Sequence, residues 1–499
     1  MAMQSSPLDV PASVTRRLAL VRSMWALVYA ALAFGTVGCG GAGGGAASPP
    51  APPPPAPGPG PSPSPPAPVP APPPAPAPTP APPPAAPVFP LSIHTSGRYL
   101  VDASGRPFFL HVDAGWSAVV NLNTTQIAPY VDDCHAKGFT GILVNAIEHR
   151  FSNQSPAYLN AAGQAPFTSM SPMAWGSPND AYWSVLDALV DRCDSKGMVV
   201  LVNPAYLGYQ GGAEGWTAEV TAASGAELAA YGQFLGARYG QGNVLWSLGG
   251  DYSGSTALRD KQRQIQTGIR SVRTTDLMTY HTSPDANSTD VVSPADYPNL
   301  FNWVYAYEQD GAYPYARAAA AYALAPAMPA YLGESAYENE KGSTAQSLRR
   351  QSYSAFLAGA LGGVCFGNAP IWNFGPGYAA FFDSVGRVQQ SHFAALVNST
   401  EWWKLEPRTD ASLVTSSKGG GTNVVCPALA NDGTFALVYV PGAQTVTVNT
   451  AALGGVAGNV RVQLHDVSTG VRSLVGRFPK SGAQTVTVSS DCVVLFDGG

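Results

Sequence analysis

Two acidic residues sit at the ends of short apolar runs: Asp251 closes Trp246-Ser247-Leu248-Gly249-Gly250-Asp251, and Glu334 closes Tyr331-Leu332-Gly333-Glu334. Two carboxyl groups flanking one bond are what glycosidic cleavage requires, one to protonate the leaving oxygen and one to attack or to activate water. Either acid alone has a plainer use, because Asp and Glu commonly cap the helix that follows a strand. Both together, at two corresponding strand ends, favour catalysis. The other run ends supply Asp113, Trp116, Asn145, Asn203, Tyr206, His281, Tyr305 and Trp372. Aromatic faces mixed with amides, a carboxylate and an imidazole suit a sugar ring, whose C–H faces stack while its hydroxyls take hydrogen bonds. These eight are the expected substrate contacts, with Asp113 a hydroxyl ligand rather than an acid/base. Glu148, Glu308 and Glu338 read as loop charges. No three-His set or Cys/His ligand spacing occurs, so neither a metal nor a cofactor is expected. A GxSxG elbow and a Gly-rich phosphate loop are also missing.

The runs that carry these residues set the fold. Residues 108–112, 141–145, 198–203, 244–248, 277–280, 302–305, 330–333 and 363–366 are short, several are β-branched and most lack alternation, as parallel strands buried on both faces do. Helical patterns lie between them. Residues 125–137 place Ile127, Tyr130, Val131 and Cys134 on one face, and residues 180–196 do the same with Trp183, Leu186, Val190 and Cys193. Both patterns stop at a glycine, Gly138 and Gly197. Eight strand-plus-helix units predict an α/β fold, a closed (β/α)8 barrel over residues 91–404 with its chemistry at the strands' C-terminal ends. An open doubly wound sheet is the competitor, but Val112-Asp113-Ala114-Gly115-Trp116 follows the first strand where that fold would want a phosphate turn. Residues 405–499 change character: short alternating or β-branched runs are separated by turns such as Asn431-Asp432-Gly433, predicting a small antiparallel β-sandwich. It would serve as a structural appendage or bind carbohydrate.

Ahead of the barrel, Arg16, Arg17 and Arg22 precede an apolar run of about 14 residues that ends at Gly38-Cys39, the pattern of an export signal rather than a spanning helix. Thr36-Val37-Gly38-Cys39 resembles a bacterial lipoprotein signal, with Cys39 as the lipid attachment site and residues 1–39 as the signal segment. Ordinary secretion is the alternative. Of the 46 prolines, 25 fall within residues 49–90. Residues 40–90 therefore read as an extended, disordered linker that cannot pack a core. At about 3.1 Å per residue, roughly 45 such residues reach on the order of 100 Å. The expected location is the bacterial cell envelope, at the outer membrane or cell surface, with the membrane touched only through the anchor. Charged residues make up 12% of the chain and its net charge is −5, with no basic cluster, which excludes a nucleic-acid partner. A polysaccharide or oligosaccharide is the expected partner, and the protein is expected to be a monomer. Two disulfides are conceivable, Cys134–Cys193 and Cys426–Cys492, with Cys365 left as a buried thiol.

Arg98-Tyr99-Leu100-Val101-Asp102-Ala103-Ser104-Gly105-Arg106-Pro107-Phe108-Phe109, the turn from Val112 to Trp116, Ala136-Lys137-Gly138-Phe139, Leu248-Gly249-Gly250-Asp251 and Gly333-Glu334-Ser335-Ala336-Tyr337-Glu338 together resemble the apiosidase-like glycoside hydrolases. In that family a β domain labelled collagen-binding commonly follows the barrel, and Ala436-Leu437-Val438-Tyr439-Val440 and Asp466-Val467-Ser468-Thr469-Gly470 are similar to its pattern. The resemblance spans residues 91–499. It implies Asp251 as acid/base and Glu334 as nucleophile, with retention, acting on a terminal glycosidic bond of a polysaccharide side chain. Two features depart from the pattern: His111 in place of a glycine, and an aromatic insert carrying Phe151, Tyr158, Phe167 and Trp175. A surface-tethered binding protein or adhesin without catalysis is the alternative.

Overall fold

The computed structural model describes residues 86–499. The signal segment, Cys39 and most of the Pro-rich stretch lie outside the described residues. Eight strands, β1 (Leu110–Ala114), β2 (Gly141–Asn145), β3 (Val199–Asn203), β4 (Val244–Gly249), β5 (Met278–His281), β6 (Asn302–Ala306), β7 (Ala330–Ser335) and β8 (Gly363–Phe366), form one parallel sheet in the order β5-β4-β3-β2-β1-β8-β7-β6. A parallel bridge between Met278 and Leu300 brings β5 beside β6 and closes the barrel. Each strand is buried along its whole length, which explains the unbroken apolar runs. Helices follow the strands: α1 (Thr124–Ala136), α2 (Asp180–Ser195), α3 (Gly225–Arg238), α4 (Thr256–Val272), α5 (Ala312–Tyr322), α6 (Ala345–Leu357) and α7 (Val385–Asn398). After β5 the helix is a single turn, Ser288–Val291.

Alternation along the strands sorts side chains into two layers. Val112, Leu143, Val199, Leu201, Leu245, Phe301, Trp303, Tyr305 and Tyr331 form a cluster inside the barrel. Their neighbours Ile142, Val144, Val200, Val202, Trp246 and Leu248 pack outward against the helices. Leu100 and Phe108, from a three-stranded antiparallel sheet ahead of β1, and Leu91 just before that sheet join the inner cluster and plug its lower end.

The C-terminal region is a two-layer β domain. Strands β9 (Leu405–Pro407), β10 (Cys426–Ala430), β11 (Phe435–Pro441), β12 (Gln444–Asn449), β13 (Val460–Asp466), β14 (Arg472–Phe478), β15 (Ala483–Val488) and β16 (Asp491–Asp497) build a six-stranded sheet, β9-β10-β11-β16-β13-β14, and a two-stranded one, β12-β15. Val446, Val448, Val486 and Val488 of the small sheet pack on Val438, Val440, Val462 and Val494 of the large one. The opposite face of the large sheet packs on barrel helices.

Neither expected disulfide forms. Cys134, Cys193, Cys365, Cys426 and Cys492 are all free and buried. Cys426 belongs to the cluster facing the helices and Cys492 to the cluster between the sheets, so the two thiols lie on opposite faces. Cys134 instead turns its sulfur to Arg387, whose Nη2 is 3.1 Å away.

Candidate active site

Glu334 reaches the barrel mouth because β7 breaks its own alternation. Tyr331 points inward and Leu332 outward, so strict alternation would send Glu334 outward as well. The pairing with β6 slips at this point: Leu332 opposes Val304, but Glu334 opposes Tyr305, leaving Gly333 as an extra residue. Such a bulge re-aims every side chain beyond it. Glu334 then shares a face with Tyr305, which is inside. Gly333 is required, because a Cβ there would come within 2.2 Å of the Trp303 ring.

Asp251 is positioned by a different device. Gly249, Gly250 and Asp251 all have positive φ (86°, 105° and 54°), which turns the chain sharply over the end of β4. A Cβ on Gly250 would collide with Tyr206. Buried Gln262 of α4 clamps the turn, accepting from Gly249 N at 2.8 Å and donating to the carbonyls of Ala205 and Gly249. Ser283 Oγ donates to the Asp251 carbonyl at 2.9 Å. The Tyr206 hydroxyl donates to Asp251 Oδ2 at 2.8 Å, fixing the carboxylate itself.

Between the two acids stands His281, the last residue of β5. Its Nε2 is 2.8 Å from Glu334 Oε2 and 3.4 Å from Asp251 Oδ1. Neither contact is aligned as a hydrogen bond, so charge rather than a directed N–H couples the three groups. One donor atom from each of Asp251, His281 and Glu334 lies within 4.8 Å of the other two, which also makes them a conceivable cation-ligand set. Burial alone would lower the imidazole's pKa; the Asp251 and Glu334 charges outweigh it and push His281 up to about 9. Burial, then the Asp251 charge, raises Glu334, opposed by His281 and by a hydrogen bond from Tyr337. The imidazole lies between two indoles, stacked on Trp303 at 4.5 Å and on Trp116 at 5.2 Å, a placement that favours its charged form. Trp116 Nε1 donates to the Tyr337 hydroxyl at 2.7 Å, completing a chain from Trp116 through Tyr337 to Glu334.

The expected substrate contacts divide. Asn145 and Asn203 are register partners at the tips of β2 and β3. Asn145 spends its amide nitrogen on Glu148 and Asn203 its oxygen on Ala205 N, leaving a buried acceptor and a buried donor without partners. A sugar hydroxyl can use both. Tyr305 lies 5.7 Å from the His281 ring, and half-buried Trp372 packs on the inner cluster. Trp116, Tyr206 and His281 touch the acids or their partners, as described above.

Asp113 does not join them. Strand β1 runs to Ala114, and the alternation Val112 in, Asp113 out turns that carboxylate into the helix layer. There it pairs with fully buried Arg387 and accepts from the Tyr130 hydroxyl at 2.7 Å. Asp113 ties β1 to α1 and α7 and is not a substrate ligand.

Glu148 and Glu338 are not solvated loop charges either. Glu148 is buried, accepts from Ser117 Oγ at 2.7 Å and Asn145 Nδ2 at 3.0 Å, and is pushed up to about 7 by burial. Glu338 is buried and accepts from Asn368, Ser384 and Gly386 N. Trp303, Tyr337 and Gln262 were not expected at the site. Trp303 is two residues from Tyr305 and so shares its face. Gln262 interrupts the apolar face formed by Leu258, Ile265 and Ile269, and a polar residue there signals a buried hydrogen-bonding duty.

Residues 94–404 match the family described as apiosidase-like, catalytic domain. Among solved structures, one described as a glycoside hydrolase is 20% identical, with 82% of this chain and 97% of that one covered and a TM-score of 0.69. A glycoside hydrolase family 5 structure from Bacteroides vulgatus ATCC 8482 is also 20% identical, covering 83% of this chain and 95% of its own, with a TM-score of 0.69. At that identity the likeness is one of fold. No curated protein matches the chain.

Proposed function

The chain belongs to the apiosidase-like catalytic-domain family, and from that premise we propose that it is a retaining glycoside hydrolase removing a terminal sugar from a polysaccharide side chain. One observation carries the mechanism: oxygens of Asp251 and Glu334 approach within 4.8 Å across the barrel mouth. Retention needs carboxyl groups about 5–5.5 Å apart, whereas inversion leaves about 6.5–9.5 Å for a water.

Glu334 is the nucleophile, attacking the anomeric carbon as the bond to the leaving oxygen breaks. Tyr337 and the His281 charge beside Oε2 steady its carboxylate while the bulge in β7 fixes the backbone. Asp251, mostly buried and steadied by Tyr206, gives its proton to the leaving oxygen. It then takes one from the water that hydrolyses the glycosyl-enzyme. Asn145, Asn203 and Trp372 hold the sugar ring. The test is a panel of aryl glycosides and plant and bacterial oligosaccharides, assayed with wild type, Glu334→Gln and Asp251→Ala. Turnover is expected for wild type alone on unactivated substrates, with azide rescuing Asp251→Ala on an aryl glycoside to give a glycosyl azide of retained configuration. Binding without turnover by wild type would make the protein a carbohydrate-binding module instead, and an azide product of inverted configuration would overturn the assignment of roles.

The location is part of the same proposal. The protein is exported as a monomer and lipidated at Cys39, with the Pro-rich stretch spacing the barrel from the membrane so that it reaches a bulky polysaccharide. Cys39→Ser is expected to move the protein from the membrane fraction to a soluble or unprocessed form; an unchanged membrane fraction would exclude the anchor.

A further inference from the structure

Residues 146–179, between β2 and α2, contain the aromatic insert. Its far part is folded into the helix layer: Phe167 and Trp175 are buried against each other and against Tyr231 of α3, at ring distances of 5.2–5.5 Å. Trp183 Nε1 of α2 donates to the Pro166 carbonyl at 3.1 Å. Its near part runs along the rim of the barrel mouth from β2 past the end of β1 toward β8. Asn121 Nδ2 donates both to the Phe151 carbonyl at 2.8 Å and to the Asn373 carbonyl at 2.6 Å. Asn153 N donates back to Asn121 Oδ1 at 2.7 Å, and Asn153 Nδ2 donates to the Phe374 carbonyl at 3.2 Å. The segment is pinned at both ends, by an aromatic cluster and by amide pairs, and therefore behaves as a wall rather than a lid.

The side chain at the pinned position is Phe151. Its ring meets Trp372 edge-on at 5.2 Å and Tyr206 at 6.4 Å, and Tyr206 is the residue that holds Asp251. Phe151, Tyr206 and Trp372 are each half-buried, so the three rings form one aromatic surface with free area beside the acid. We propose that Phe151 is a specificity-determining residue: its ring, fixed between Tyr206 and Trp372, closes the flank of the site toward β1, β2 and β8, so that the pocket takes a chain end and not an internal segment. This rests on the glycosidase reading and adds to it the element that makes the action terminal. The Phe151 ring has no polar group of its own, so it excludes by shape while stacking on the sugar's C–H face.

The test uses two probes, the 4-nitrophenyl monoglycoside that wild type hydrolyses best and the 4-nitrophenyl disaccharide extended from that sugar at its non-reducing end. Wild type is expected to prefer the first, and Phe151→Ala to narrow the kcat/KM ratio by about tenfold, chiefly through gain on the disaccharide, a size that pocket-shape discrimination commonly has. Phe151→Tyr should keep the wild-type ratio. Phe151→Leu, which preserves more of the packing, should move it partway, and serves if the alanine variant does not fold. An unchanged ratio in a folded Phe151→Ala or Phe151→Leu would overturn the inference while leaving the glycosidase reading intact. No hydrolysis of any aryl glycoside or oligosaccharide by wild type would remove both.

Discussion

His281 carries the protonation behaviour of the site. Between its ordinary value near 6.5 and its value of about 9 in the fold, the imidazole is charged when folded and neutral when unfolded. A raised pKa of this kind contributes stability that is fully present below about 6.5 and lost as pH rises through 9. The charged imidazole then stands beside the Glu334 carboxylate, 2.8 Å from its Oε2, and loss of that proton leaves Glu334 without a counter-charge. Activity is therefore expected to fall on an alkaline limb near pH 9. His281→Gln should remove that limb from the kcat/KM profile and lower kcat/KM near neutrality by roughly 100-fold, the size typical of deleting one charge-stabilising group. The stability gap between wild type and His281→Gln should be widest at pH 6, on the order of 2 kcal/mol, and should narrow by pH 9.5. Thermal melts at the two pH values check it; a gap that grows with pH would mean the imidazole is neutral in the fold.

The bulge in β7 joins element to site. Gly333→Ala would drive a methyl into Trp303, whose ring stacks on His281. Overpacking of that kind costs about 1–3 kcal/mol, and because the displaced ring holds the imidazole, activity should fall further than the melting temperature predicts. Circular dichroism melts beside kcat/KM measure both; full activity in a destabilised Gly333→Ala would show that the bulge does not aim Glu334. The same strand marks the limit of what the sequence discloses. The eight runs were legible because strands buried on both faces are continuously apolar, and the acids at two of their ends followed from that. The inward turn of Glu334 was not, since alternation alone points it outward and only contact with Trp303 and β6 explains the slip. Asp113 was misplaced for the converse reason: the first strand was set two residues early, so a carboxylate inside the strand passed for one beyond it. The matching ends of α1 and α2 invited a Cys134–Cys193 pair, yet Arg387, distant in sequence, claims the Cys134 sulfur. Strand β14 went unseen because it is an edge strand, largely exposed, and carries no alternating pattern.

At the scale of the molecule, α6 decides how barrel and β domain behave together. It follows β7 directly and is buried on nearly every side: Phe356 meets Phe393 of α7 at 5.6 Å, while Tyr353 stacks on Tyr439 of β11 at 5.3 Å. Arg349 Nε donates to Asp491 of β16 at 2.8 Å, and both side chains are almost fully enclosed. Phe356, Phe393 and Trp402 belong to the same apolar cluster as Cys426, Leu437, Tyr439 and Leu495. A helix shared in this way cannot lose one neighbour without exposing apolar surface to water, so the β domain braces the helix behind the strand that bears Glu334. Calorimetry of wild type is expected to give one unfolding transition for both parts. Arg349→Met should leave Asp491 buried without its cation; removing one partner of an enclosed pair costs about 3–5 kcal/mol. Burial already raises the Asp491 pKa, with Arg349 opposing, so in the variant the carboxyl should sit higher still and take up a proton more readily. A raised folded pKa favours the fold at low pH, so Arg349→Met should recover part of its lost stability as pH falls. Melts at pH 7 and pH 5 read that recovery, and glycosidase activity lost on heating should track the single transition. Two separate transitions in wild type, with activity following only the first or the second, would show that the β domain hangs from the barrel without supporting it.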